Sequence, residues 1–156
     1  MEIIADTLEL TPKRIKTMKI SEKDAKMQTR QLSRSGDSPL KFEGTLESSI
    51  DSRELAGEDS QRWYTVQVFG LADGRFVLYI HFSTKRAKEN DVPLVWVGEN
   101  MDAVKEILLD YEPLHARIGY PPGQNYEVLQ VALEETLRVQ WEWCIEQALA
   151  DYPVEL

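Results

Sequence analysis

Cysteine is almost missing from this chain. Of 156 residues only Cys144 carries a thiol, so no internal disulfide can form and no cysteine-rich zinc site can be assembled. Long apolar runs are missing as well. Nowhere do ~18 apolar residues follow one another, which leaves no candidate transmembrane helix. The first twenty residues contain no apolar segment with a cleavage site behind it, so no secretory signal is expected. Phosphate cradles are absent: the eight glycines are scattered among turns and form neither Gly-x-x-x-x-Gly-Lys nor Gly-x-Gly-x-x-Gly. There is no Gly-x-Ser-x-Gly elbow, no internal repeat and no low-complexity tract. With 42% apolar and 29% charged residues the composition is that of an ordinary globular domain. These absences point to a small soluble domain, and its expected location is cytoplasmic.

The charge is unevenly spread. The chain holds 18 Lys and Arg against 27 Asp and Glu, a net charge of −9. Residues 1–36 hold eight basic groups against five acids, a balance of +3. That leaves 10 basic groups against 22 acids over residues 37–156, a balance of −12. The sequence thus divides into a basic N-terminal extension, residues 1–36, and an acidic core domain, residues 37–156. A split of this kind marks either an arm for an acidic partner or an arm that docks on its own body. A body this acidic repels phosphate over any broad face.

The hydropathy pattern predicts an α+β fold. Thr7 to Leu10 alternates and reads as a short strand. Ser21 followed by Asp24 resembles a capping box opening a helix over 22–32, whose apolar stripe of Ala25, Met27 and Leu32 is thin. Residues 33–39 are rich in Ser, Gly, Asp and Pro and read as a linker. Residues 40–50 alternate, with Leu40, Phe42, Leu46 and Ile50 on one face and Gly44 marking a bulge. Residues 62–69 and 75–82 are rich in aromatic and β-branched residues and flank an Asp73-Gly74 turn. The second of these is apolar on both faces and reads as a central strand. Pro93 opens a short strand over 92–97. Asn100 is a helix N-cap for an apolar stripe over 101–111, and a long helix follows over 126–150. The expected architecture is a four-stranded antiparallel meander with two C-terminal helices packed on it and a small N-terminal strand and helix extension.

Candidate chemistry is thin. His81, His115 and Cys144 lie far apart in sequence, and the Glu112-x-x-His115 spacing is interrupted by Pro113, so no metal site is expected. Cys144 falls on the apolar stripe of the last helix (Tyr126, Leu129, Leu133, Leu137, Trp141, Cys144, Ala148), where a thiol behaves as a small hydrophobe. A Cys144–His115 pair would need the fold to bring the two together. Glu134, Glu135, Glu142 and Glu146 share helix faces with Arg138 and read as a solvated surface. No catalytic residue and no cofactor is expected. An unmarked enzyme would need Tyr79, His81, His115 and Arg117 to converge in one cleft.

Two features point instead to binding. Trp143 lies about 200° around the last helix from Trp141, and Val128, Val131 and Val139 also leave the main stripe. This gives a helix with two apolar sides. Trp141, Trp143 and Val139 are therefore the candidate partner-binding residues, since Trp is enriched in binding hot spots. The second side faces another part of the chain, a protein partner or a second copy. Lys13, Arg14, Lys16, Lys19, Lys23 and Lys26, followed by Arg30 and Arg34, form the second candidate, a contact for nucleic acid or an acidic partner. No aromatic residue interleaves there for base stacking. The sequence therefore reads first as a non-enzymatic protein-binding or assembly protein, a complex subunit or regulator. Its second reading is a nucleic-acid-associated factor, as in a ribonucleoprotein, contacting phosphates through residues 13–34.

Overall fold

The computed structural model describes residues 22–87, 89–111 and 126–151, and of residues 126–130 the backbone only. Its architecture is an antiparallel sheet of five strands in sequence order with helices against one face. The elements are α1 (Glu22–Ala25), β1 (Gln28–Arg34), β2 (Asp37–Asp51), α2 (Arg53–Ala56), β3 (Arg62–Gly70), β4 (Phe76–Thr84), β5 (Val92–Gly98), α3 (Met101–Asp110) and α4 (Tyr126–Ala150). The meander is the one the hydropathy pattern predicts, with one strand more.

The additional strand is β1. The helix expected over 22–32 stops after one turn at Ala25, and the chain continues in period two. Gln28, Arg30, Leu32 and Arg34 are half-buried while Thr29, Gln31 and Ser33 are exposed. A stripe of three apolar residues cannot hold a helix without packing, whereas the alternating phase pairs with β2 from Gln28–Gly44 to Arg34–Asp37. The predicted linker is the turn of this hairpin, with Gly36 at φ 75°, a conformation that glycine adopts without steric cost.

Strand β2 is long because it serves two partners. Residues 37–44 pair with β1, and residues 45–51 pair with β3. At the changeover, a Cβ on Gly44 would lie 3.2 Å from the Gly70 carbonyl oxygen and 3.0 Å from the Phe42 ring, so the close approach needs a residue without a side chain. The register then shifts between Leu46 and Ser48. This bulge corrects the prediction that Leu46 and Ile50 share a face: the extra residue, Glu47, moves Leu46 to the face of Phe69 and leaves Ile50 on the face of Val66. The sheet curls as a result, and β1 reaches β5 where the Ser35 amide donates to the Pro93 carbonyl at 2.7 Å.

One sheet therefore serves two cores. On the helical face, Ile50, Tyr64, Val66, Val68, Leu78, Ile80 and Phe82 meet Val104, Leu108, Leu133, Leu137, Trp141, Cys144 and Ala148. Inside the curl, Leu46, Phe69 and Val77 meet Leu32, Leu40, Phe42, Tyr79 and Val95. This is why β4 is apolar on both faces. α3 begins as predicted, with the Asn100 side chain accepting from the Ala103 amide at 2.9 Å. α4 is tied to the sheet by buried polar contacts. Ser52 Oγ donates to Gln140 Oε1 at 3.0 Å and accepts from the Tyr64 amide at 2.9 Å. Ser48 Oγ donates to Asp151 at 2.8 Å.

The loop between β4 and β5 is held by a buried ion pair. Arg62 Nε donates to Glu89 Oε1 at 2.9 Å, its Nη2 pairs with Oε2, and Thr84 Oγ1 donates to Oε1 at 2.8 Å. The side chains are only 8% and 10% exposed. Burial pushes the Glu89 carboxyl up, but the hydrogen bonds from Arg62 and Thr84 and the charges of Arg62 and Arg86 hold it below the usual carboxylate range.

Two predictions follow from this packing. Leu137→Ala is expected to cost about 3 kcal/mol, against less than about 0.5 kcal/mol for Val131→Ala on the outer side of the same helix. Thermal unfolding reads this as a midpoint loss of roughly 6–12 °C against almost none. Glu89→Gln leaves Arg62 buried without its counter-charge and is expected to cost about 3 kcal/mol at neutral pH. Because the native carboxyl titrates low, its stabilisation is complete above the ordinary range near ~4.3. It is lost as the pH falls through the native value. The gap between wild type and Glu89→Gln in denaturant titrations should therefore close in acid.

Candidate interaction surface

Helix α4 has the stripe that its sequence predicts. Leu133, Leu137, Trp141, Cys144 and Ala148 are all buried against the sheet, while the side chains of Tyr126, Leu129 and Val128 lie outside the described residues. Trp141 is 4% exposed, with its ring centroid 5.3 Å from that of Tyr64 and 4.9 Å from that of Tyr111. Trp143 is half-buried and packs against the same core. The two tryptophans thus flank one broad buried arc, whose middle includes Gln140 and Gln147. Of the three coverings open to Trp143, the chain's own core supplies contact.

The apolar surface that remains lies elsewhere on the helices. Val139 is 48% exposed, Val131 66% and Leu109 of α3 65%. Between α3 and α4 opens a cleft of about 410 Å³, lined by Leu108, Leu109, Asp110 and Tyr111 on one side and Arg138, Trp141, Glu142 and Ile145 on the other. Tyr111 and Trp141, whose rings are in contact, both line it, and Trp96 packs on Tyr111 with its centroid 5.9 Å away. Its rim is charged and mainly acidic. Leu109 could have been found in the sequence, because it falls outside the α3 stripe of Val104 and Leu108. The cleft could not, because it depends on the spacing between two helices.

Of the basic candidates, Lys13, Arg14, Lys16 and Lys19 lie outside the described residues. Lys23 and Lys26 are exposed. Arg30 and Arg34 are engaged in the fold. Arg30 Nε donates to the Gly44 carbonyl at 2.8 Å, and its Nη2 donates to the carbonyls of Asp24 and Lys26. Its guanidinium carbon sits 5.0 Å from the Phe69 ring centroid. Arg34 Nε donates to the Ser38 carbonyl at 2.6 Å.

The residues of the enzyme reading are placed as follows. Tyr79 and His81 share the inner face of β4, with Tyr79 Oη 3.3 Å from His81 Nδ1. His81 Nε2 lies 3.4 Å from Asp91 Oδ2. Burial, with the Asp91 charge adding to it, pushes the Tyr79 phenol above its ordinary value, so this hydroxyl keeps its proton at neutral pH. His115 and Arg117 lie outside the described residues. On the same face as Tyr79 and His81, the Trp63 ring has the Arg53 guanidinium carbon 4.4 Å and the Lys85 ammonium 5.7 Å from its centroid, and Arg53 is bonded to Asp51. Among the described residues no three His, Cys, Asp or Glu side chains gather as a metal site. No helix there is long and apolar enough to cross a membrane. Comparison with family models, curated proteins and solved structures gives no match.

Cys144, fully buried, is expected to resist a thiol reagent such as DTNB in the native protein and to react completely once denaturant unfolds the chain. Rapid labelling of the native thiol would show that it is reached from solvent.

Proposed function

We propose that this is a non-enzymatic binding or assembly protein whose contact surface is the outer side of the C-terminal helix pair. The observation that carries this reading is the α3–α4 cleft, with Leu109 about two-thirds exposed in its wall and Val131 equally exposed further along α4. Singly exposed apolar residues are ordinary on protein surfaces. Here Leu109 borders a concave surface with an aromatic lining and a polar rim, the arrangement typical of interaction sites. Val139 extends the surface around α4. Trp141 contributes to the lining and Trp143 as support from within. The basic residues from Lys13 to Lys26 form a second, electrostatic contact, directed at an acidic segment of the partner.

The test is affinity capture from native lysate with nuclease present, comparing wild type with Leu109→Asp and Val139→Asp. Both positions are exposed, so both variants should fold. A partner recovered with wild type should be reduced about tenfold by Leu109→Asp, the equivalent of ~1.4 kcal/mol. Equal recovery with both variants places the contact elsewhere. A partner recovered only in a parallel capture without nuclease favours the nucleic-acid reading through residues 13–34.

A further inference from the structure

We infer that the outer edge of β5 takes up an extended segment of a partner protein as a further strand, an inference independent of the helix-pair surface above. The first observation is the direction of the backbone groups. In a regular strand the N–H and C=O of one residue point to the same side, and successive residues alternate. The Leu71 amide donates to the Arg75 carbonyl at 2.9 Å, which turns the odd-numbered residues of β4 toward β3. The even-numbered ones, from Phe76 to Phe82, therefore bond β5, and their partners are Gly98, Trp96, Leu94 and Val92. Pro93, Val95 and Val97 are left facing outward. The Pro93 carbonyl agrees with this, since it accepts from the Ser35 amide at 2.7 Å. After Ser35 the chain turns back at Gly36 into β2, and the bonding to β1 ends. Among the described residues no strand lies beyond β5 and no other backbone bond reaches it from that side. Val95 and Val97 each present an N–H and a C=O along this edge.

The second observation is the chemistry of the edge. Sheet edges are ordinarily protected by charge, by proline or by a bulge. β1, the other edge, has two of these devices: the charges of Arg30 and Arg34, and the register shift between Leu32 and Arg34. β5 reads Val-Pro-Leu-Val-Trp-Val-Gly and has no charged residue. Its proline stands at the outward position that already has a partner. Val97 is 46% exposed, and Val95 is half-buried against the inner core. A row of outward backbone groups selects an extended chain rather than a helix, because an extended chain presents its own donors and acceptors at the matching spacing. Val95 and Val97 on one face and Trp96 on the other favour apolar side chains in that chain. A second copy fits less well. Each chain has a net charge of −9, so two copies repel. A symmetric pairing centred on Val95 would also set Val97 against a proline, which has no N–H to donate.

The experiment follows the backbone amides of the full-length, 15N-labelled protein by NMR hydrogen exchange. The probe is a ten-residue Val/Thr peptide, N-methylated at alternate residues so that one hydrogen-bonding edge stays open and the peptide cannot stack on itself. The control has the same sequence N-methylated throughout. In the free protein the Val95 and Val97 amides should exchange roughly a hundredfold faster than those of Leu94 and Trp96, which bond β4. The probe should slow Val95 and Val97 at least tenfold, and the control should not. Val97→Pro removes an outward N–H that the ladder to β4 does not use, and should weaken probe binding at least tenfold. Val97→Lys, which keeps the N–H and places a charge on the edge, should weaken it about fivefold, and Val97→Thr less than about twofold. Thermal unfolding confirms that each variant is folded, and Val97→Lys carries the comparison if Val97→Pro is not. Slow exchange at Val95 and Val97 in the free protein at every concentration shows an edge already covered by this chain and overturns the proposal. Protection that rises with protein concentration assigns the edge to a second copy and overturns the partner strand. Equal slowing by probe and control, or none by the probe at millimolar concentration, overturns it as well.

Discussion

The seating of Trp141 between Tyr64 of β3 and Tyr111 after α3 is the contact on which the helical layer depends. A buried tryptophan contributes the largest apolar area a side chain can offer, and each well-placed aromatic neighbour adds roughly 0.5–1.5 kcal/mol beyond area alone. Trp141 meets a strand and the end of the neighbouring helix together, so it fixes α4 on the sheet and α3 on α4 in one step. The buried Ser52–Gln140 bond sets the rotation of α4 about its axis. Rotating α4 by one residue would move Gln140 away from Ser52 and carry Trp141 away from Tyr64. The first change leaves a buried polar group without its bond and the second loses an aromatic contact, and together these penalties make the observed register specific.

The curl of the sheet has a different origin. It comes from backbone geometry at the middle of β2, where Gly44 passes close to Gly70 and Glu47 adds a residue to one strand. The strand can then serve two partners, and the sheet buries apolar side chains on both faces. Polar side chains that fall on the inner face beyond the second core are satisfied locally. Gln67 bonds Ser49, Tyr79 meets His81, and Arg53 bonds Asp51 while covering Trp63. Each of these groups has a neighbour on the same face to bond with.

Much of this fold was legible in the sequence. The period-two runs at 62–69 and 75–82, the Asp73-Gly74 turn, the Asn100 cap and the Leu133–Ala148 stripe each depend on neighbours a few residues away, and each appears where expected. What was not legible depends on the third dimension. β1 was hidden because its inward phase includes Arg30, whose aliphatic stem and ring contact take the place an apolar residue would signal. The bulge at Glu47 was hidden because a strict alternation from Leu40 to Ile50 looks the same with or without an extra residue opposite β3. Whether Trp143 meets its own chain or a partner stayed open in the sequence, because a wheel of single residues cannot show how wide the buried arc is. Gln140 and Gln147, polar in sequence, widen that arc enough to include it.

The same reasoning bears on the proposed contact surface. A reactive group has to be open to a substrate and supported by neighbours. Cys144 is closed, and Arg30 and Arg62 are engaged in holding strands and loops together. The exposed side chains on the helical layer show the opposite pattern. Leu109 and Val131 make little use of the fold that displays them, and the carboxylates around them are poised for solvent or for a partner. Apolar side chains held in water gain free energy only when something covers them. The proposed contact surface depends on the spacing of two helices, and no short motif in the sequence encodes such a spacing.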